Sequence, residues 1–198
     1  LVYCEWTMEF KNVARQPREA RVQIALPPGA VVSRLTLWIN GEEREAAFGG
    51  RSQVRAAYKE IAVVQRRDPV LVTTCGPDRV LVQCFPVPPN GGVMKVRLGM
   101  TAPLVLESLD RGSFVWPRFL ERNYAIAPDF QHTLWIESPT PLNDEKRAAT
   151  SAPAGKHPFA FHESASEVGL AAAPRTVQIH RSPELVTVWT PTDEAGSI

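Results

Sequence analysis

Short segments of alternating apolar and polar residues, separated by residues that favour turns, fill the first half of this chain. Residues 4–10 alternate with period two, as a strand with one buried face should. Asn40-Gly41 is the strongest short hairpin signal because both residues accept a positive φ, and it should fold residues 35–39 back onto residues 43–48. This pattern restricts the first half of the chain to antiparallel β-structure with short connections.

The same criteria predict further strands along the whole chain. They are residues 21–26, 31–39, 70–75, 80–85 and 93–100 in the first half, and 105–109, 114–116, 133–137, 158–162, 176–180 and 185–190 in the second. Pro86, Pro88 and Pro89 cannot donate ladder hydrogen bonds, so this segment should lie at a sheet edge or leave the sheet. Residues 143–158 are polar, small and proline-bearing, and they predict a flexible surface loop.

One amphipathic helix is predicted over residues 52–65. Ser52 offers an N-cap, and Asp68-Pro69 ends the segment. Its apolar residues recur at helical spacing on one face, and a basic row occupies the other: Val54, Ala57, Tyr58, Ile61 and Val64 against Arg51, Arg55 and Lys59. We therefore expect an all-β protein, a β-sandwich with one α-helix. Residues 1–105 should form the first unit, and residues 106–198 a β-rich segment packed on it.

Composition excludes several classes of protein. The formal net charge of +1 argues against a nucleic-acid binder, which normally has a strong basic excess. The longest apolar runs are far too short to cross a bilayer. Because the sequence starts with Leu1 and shows no leader pattern, we expect a piece of a longer polypeptide, with membrane contact only through segments outside it.

The three cysteines, Cys4, Cys75 and Cys84, are expected to be free thiols. A tight turn at residues 76–79 should place Cys75 opposite Val80 and Cys84 opposite Leu71. The two thiols would then lie four residues apart along the ladder, at roughly 3.3 Å per residue. That separation exceeds the reach of a disulfide, whose Cα atoms lie within about 7 Å.

The sequence predicts no cofactor, no metal site and no enzyme activity. The histidines are widely spaced, and no rigid element supplies a third ligand beside His157 and His162. No G-x-S-x-G elbow or phosphate-binding glycine loop is present in the sequence. A hydrolase with an unrecognised Cys or His site, at Cys75 or Cys84, remains an alternative.

Two features are candidates for binding a protein partner. The row of Arg51, Arg55 and Lys59 could dock an acidic partner, although a solvated helix face is the alternative interpretation. Trp38, beside the Asn40-Gly41 turn, and Trp116, before Pro117, could anchor a partner from an exposed strand edge, although core packing is the usual role of such residues.

The order of these segments resembles the VIT domain, the vault protein and inter-alpha-trypsin module. The residues that carry the resemblance, in chain order, are Asn12; Pro17, Glu19 and Ala20; Leu26, Pro27, Gly29 and Ala30; Ile39 and Gly41; Ala57 and Tyr58; Val70, Leu71 and Val72; and Pro86, Val87, Pro88 and Pro89. The chain departs from the pattern at Met100, where an aromatic is usual, and in a helix end less rich in Glu.

The resemblance implies a non-catalytic protein-interaction or structural module of a larger exported or membrane-linked polypeptide. An extracytoplasmic location, periplasmic or at the cell surface, is the expectation that follows. A von Willebrand factor A-type domain downstream in the same polypeptide is a candidate partner, although the Asp-x-Ser-x-Ser loop of its metal site does not occur in this sequence. An adhesive or carbohydrate-binding β-sandwich is the main alternative function.

Overall fold

The computed structural model describes residues 1–49, 70–140, 157, 159–166 and 176–179. The secondary structure in these ranges consists of strands, and none of the described residues forms a helix. The strands are β1 (Val2–Asn12), β2 (Arg18–Ala25), β3 (Val31–Ile39), β4 (Glu42–Glu45), β5 (Val70–Gly76), β6 (Arg79–Val87), β7 (Gly92–Ala102), β8 (Val105–Leu106), β9 (Arg111–Ser113), β10 (Arg118–Arg122), β11 (His132–Ser138), β12 (Phe159–Ala165) and β13 (Thr176–Gln178). The all-β prediction is confirmed for this part, and the predicted helix over residues 52–65 lies outside the described residues.

Two four-stranded antiparallel sheets form the centre of the molecule. Sheet A has the order β1-β7-β3-β4, and sheet B has the order β10-β2-β6-β5. One cluster of buried side chains contains residues from both sheets, among them Leu98 and Met100 of β7, Ile24 of β2 and Val82 of β6, each with no exposed surface. Strands whose alternate residues are buried in this way bury one face of each sheet against a shared core. Among the described residues no helix is long and apolar enough to span a membrane.

The Asn40-Gly41 hairpin is confirmed. Asn40 has a φ of 53° and Gly41 a φ of 84°, and Ile39 of β3 pairs with Glu42 of β4. Two successive positive φ values match the twist of the flanking strands. β4 ends at Glu45, earlier than the predicted residue 48.

The register predicted for the β5–β6 hairpin is wrong by one residue. Thr74 pairs with Val80 and Gly76 with Arg79, so Cys75 falls in a β-bulge. Cys84 pairs with Val70 rather than with Leu71. A bulge adds one residue to one strand only, which shifts the register, and the local sequence contains no pattern that predicts it. All three cysteines are free, as expected.

The prediction for the proline-rich segment holds for Pro88 and Pro89, which lie beyond the end of β6 at Val87, and is wrong for Pro86. Pro86 stays within β6, an interior strand of sheet B. Phe85 and Pro86 together lie opposite the single residue Glu19 in a bulge, because Arg18 pairs with Val87 and Ala20 with Cys84. β5 begins opposite Cys84, so its ladder does not require a donor from Pro86.

One strand of the second half, β10, completes sheet B, and the other strands form two smaller sheets. β10 pairs with β2 and forms one edge of sheet B. This strand was not predicted from the sequence. β8, β9 and β13 form a three-stranded sheet, and β11 and β12 form a two-stranded one. The strand predicted at residues 114–116 is absent, since β9 ends at Ser113, and the strand predicted at residues 185–190 lies outside the described residues. The division of the chain at residue 105 and the loop at residues 143–158 stay predictions.

Candidate functional site

Two of the five predicted binding residues lie in the described part of the chain. Arg51, Arg55 and Lys59 lie outside the described residues. Trp38 lies half-buried on β3, in the face of sheet A that points away from the core, and Trp116 lies half-buried after β9. The structure therefore does not bring Trp38 and Trp116 together into one site.

Trp38 is surrounded by cations of its own sheet. Lys95 Nζ and Arg97 Cζ each lie 4.6 Å from the centre of the indole ring. Arg97 also donates to Glu43 at 2.7 Å. Cation–π contacts of this kind hold an exposed aromatic in place and occupy the surface that a partner would need.

The rest of this outer face consists of ion pairs. Arg34 donates to Glu45 at 2.7 Å and to Glu5 at 3.1 Å. The hydrogen bond from Arg34 holds the pKa of Glu45 below its usual range. Glu5, Glu43 and Glu45 therefore each have a basic partner within this face, whereas the contact of Glu9 with Lys95 is longer, at 3.9 Å.

A long concave surface lies along β1, and we call it the β1 cleft. It has a volume of about 1660 Å³ and is lined by every residue of β1 and every residue of β11. Trp116 lines it together with Phe114, Phe119, Tyr124 and Phe130, whereas Trp38 does not. Small-molecule pockets have volumes of roughly 300–1,000 Å³, so the cleft suits a larger ligand.

Aromatic rings form the inner wall of the β1 cleft. Trp6 of β1 stacks on Phe119 of β10 with ring centroids 4.3 Å apart. Phe10 of β1 meets Tyr124 edge-to-face at 5.2 Å, and Tyr124 meets Phe119 at 6.3 Å. These contacts join the edge strands of the two sheets and fix the position of the segment that follows β10.

Residues 1–100 match the model of the family described as Vault protein inter-alpha-trypsin domain. The chain belongs to this family. Searches of curated proteins and of solved structures gave no significant match. The matched range contains β1 to β6 and most of β7, so β10, which completes sheet B, comes from beyond the matched VIT residues. The VIT domain is commonly a non-enzymatic module of larger proteins.

Two of the three thiols in this VIT protein are poorly suited to nucleophilic chemistry. Burial raises the pKa of Cys4 to about 11, with a smaller contribution from Glu5, and that of Cys84 to about 12, with a smaller contribution from Glu19. Since the thiolate is the nucleophile, both groups stay protonated near neutral pH. Cys75 is exposed on its bulge. The described residues contain no group of three or more His, Cys, Asp or Glu side chains that could hold a metal ion.

Of the residues that line the cleft, only Trp116 was predicted from the sequence as a binding residue, from its position before Pro117. Trp6 and Phe10 lie in the strand predicted at residues 4–10. Their contacts with Phe119 and Tyr124 were not predicted, because β10 was not predicted. Residues 118–122, Arg-Phe-Leu-Glu-Arg, do not alternate between apolar and polar residues, so the sequence pattern gave no signal for that strand.

Proposed function

We propose that this VIT domain is a non-catalytic protein-interaction module of a larger exported or membrane-linked polypeptide, and that the β1 cleft is its docking surface. The observation that carries the proposal is the aromatic wall of a cleft too large for a small ligand. Aromatic side chains in concave surfaces are the residues that most often dominate protein–protein binding energy.

Trp116 offers a specific anchor within the cleft. Its indole Nε1 is buried and has no hydrogen-bond partner among the described residues. Its ring packs edge-to-face on Phe114 with centroids 5.2 Å apart, so its orientation is fixed before binding. A carbonyl or carboxylate oxygen of a partner would satisfy this donor, and a buried unmet donor is costly.

Binding to the flanking polypeptide tests the proposal. The natural segments on both sides of residues 1–198 are produced separately, a von Willebrand factor A-type domain among them if one is encoded, and titrated calorimetrically. Trp116→Ala should weaken binding at least tenfold. Trp38→Ala removes the same side chain outside the cleft and should leave the affinity unchanged. Absence of binding by any flanking segment, or equal loss in both variants, contradicts the proposal.

The predicted basic helix face is the other candidate docking surface. Changing Arg51, Arg55 and Lys59 together to Glu reverses its charge, and the thermal midpoint should change little if the row is solvated. Lost binding in this variant, with unchanged binding in Trp116→Ala, moves the docking surface from the cleft to that face.

Carbohydrate binding is a second candidate function, and Trp135 favours it. Its side chain is 47% exposed on β11, its Nε1 donates to Glu137 at 2.6 Å, and its ring lies 5.4 Å from that of His162. A flat exposed indole beside polar groups is suited to stacking on a sugar ring. Glycan-dependent quenching of tryptophan fluorescence that disappears in Trp135→Ala would support it, and unchanged fluorescence with a glycan panel would exclude it.

A further inference from the structure

The edge strands of the two large sheets differ in how well they are protected against pairing with a strand of another chain. β4 has only four residues, all exposed, with the sequence Glu-Glu-Arg-Glu. β5 is interrupted by the bulge at Cys75, and β10 has five residues with a bulge between Phe119 and Glu121. Short length, charge and bulges are the features that keep sheet edges from pairing with other chains.

β1 carries charge on its outer face, at Glu5, Glu9 and Lys11, but it has neither a short length nor a bulge. It runs for eleven residues and pairs with β7 in unbroken register, from Val2 opposite Ala102 to Asn12 opposite Gly92. It contains no proline, and its other edge has no ladder partner among the described residues. An edge this long and regular is a template for another strand.

The β1 cleft lies along this edge. β11 also lines the cleft; it pairs with β12 and has no other strand partner in the part of the chain that is described. A strand placed in the cleft would therefore lie beside the free edge of β1. Strand addition of this kind supplies affinity through backbone hydrogen bonds and specificity through alternate side chains.

We propose that the β1 cleft binds an extended segment of a protein partner, which adds as a strand to the free edge of β1. This inference rests on the proposed function and specifies its mode of recognition and the chemistry of the partner. The ligand is a peptide that alternates apolar side chains with lysine or arginine.

The two faces of β1 determine this alternation. Trp6, Met8 and Phe10 lie on the inner face, so an added strand presents apolar side chains beside them. Glu5 and Glu9 lie on the outer face, and cross-strand pairs favour opposite charges. Glu9 is available for such a pair, because its side chain is 62% exposed and its contact with Lys95 is 3.9 Å long.

The charge of the whole lining agrees with a basic ligand. Four carboxylate side chains line the cleft, those of Glu5, Glu9, Glu19 and Glu137, against the two cationic side chains of Lys11 and Arg18, and the balance stays acidic when Glu5 is left out because it pairs with Arg34. A second copy of β1 fits poorly. Antiparallel self-pairing over the full strand centres on Thr7, and it places Glu5 opposite Glu9 of the other copy.

The test uses the full chain and a fluorescent eight-residue peptide of alternating valine and lysine, with binding followed by anisotropy. A valine–glutamate peptide of the same length is the charge control. Two analogues methylated on alternate sets of backbone nitrogens keep the side chains and remove ladder donors. The valine–lysine peptide should bind, and the valine–glutamate peptide and at least one methylated analogue should bind at least tenfold more weakly.

Matched variants locate the binding edge. Glu9→Lys should weaken binding of the valine–lysine peptide at least fivefold and improve binding of the valine–glutamate peptide. Glu42→Lys makes the same change of charge on β4, the opposite edge of sheet A, and should change neither affinity. Equal effects of the two variants, or equal binding by all methylated analogues, overturn the proposal.

The remaining outcomes separate this inference from the proposed function. If a flanking segment binds the chain through Trp116 but no alternating peptide binds, strand addition is wrong and the interaction module stands. If the peptide binds only after residues 180–198 are removed, the edge belongs to the chain's own C-terminal segment and the partner assignment is wrong. A dimer in sedimentation that the peptide dissociates would assign the edge to a second copy.

Discussion

Gly99 on β7 shows how closely two side chains approach the backbone on the outer face of sheet A. A Cβ atom there would lie 2.7 Å from Arg34 Cβ and 2.7 Å from the Tyr3 hydroxyl, which itself donates to Glu5 at 2.8 Å. Gly99→Ala should therefore lower the free energy of unfolding by about 1–3 kcal/mol, as overpacking does, although alanine is ordinarily favoured over glycine in a strand. Urea denaturation measures the change. Tyr3→Ala removes one of the two clashes, so the double variant should lose less than the sum of the single variants, and strict additivity would contradict this explanation.

The buried thiol of Cys84 predicts a pH dependence of stability. Burial raises its pKa from 9.0 in the unfolded chain to about 12 in the fold. Because the folded value is the higher one, this contribution to stability is fully present below pH 9 and is lost as pH rises towards 12. Thermal midpoints between pH 7 and 11 should fall less steeply above pH 9 in Cys84→Ala than in the wild type. The variant also leaves a cavity that lowers its midpoint at every pH, so the slopes are compared, and equal slopes would refute the prediction.

The strands and turns that were predicted correctly are those whose formation depends on residues close together in the sequence. The Asn40-Gly41 turn, the alternation in β1 and the bounds of β3 follow from local sterics and burial, and all three are confirmed. The bulge at Cys75, the continuation of β6 through Pro86 and the whole of β10 depend on partner strands distant in sequence. The β1 cleft could not be predicted for the same reason, because its aromatic wall pairs residues of β1 with residues more than a hundred positions later.

β10 contributes to the fold chiefly through Phe119. Phe119→Ala removes the ring stacked on Trp6 and should lower the free energy of unfolding by about 2–3 kcal/mol, below the full cost of a buried phenylalanine because the ring is half-buried. Leu120→Ala is the matched control, since the neighbouring side chain is 40% exposed and its loss should cost about 0.5 kcal/mol or less. Chemical denaturation followed by tryptophan fluorescence reports both values. Comparable losses in the two variants would show that the stack does not hold β10 in place.

Contacts between the two halves of the chain bear on where the VIT unit ends. The family match stops at residue 100, yet sheet B takes its edge strand from residues 118–122, and Trp6 and Phe10 pack against rings of the second half. A fragment of residues 1–105 would expose those two rings and give β2 a free edge. It should unfold at a lower urea concentration than the full chain and self-associate, since an uncovered strand edge beside apolar surface promotes pairing between chains.

Separately produced residues 106–198 provide the complementary measurement. If the two halves form one cooperative unit, mixing them should raise the urea midpoint of the 1–105 fragment and suppress its self-association. Phe119→Ala in the added half should reduce this recovery, because Phe119 supplies the ring that covers Trp6. A fragment that keeps the full chain's midpoint without the second half would instead make residues 1–105 an independent domain. The β1 cleft would then lie between two separable domains, and its width would depend on how they move.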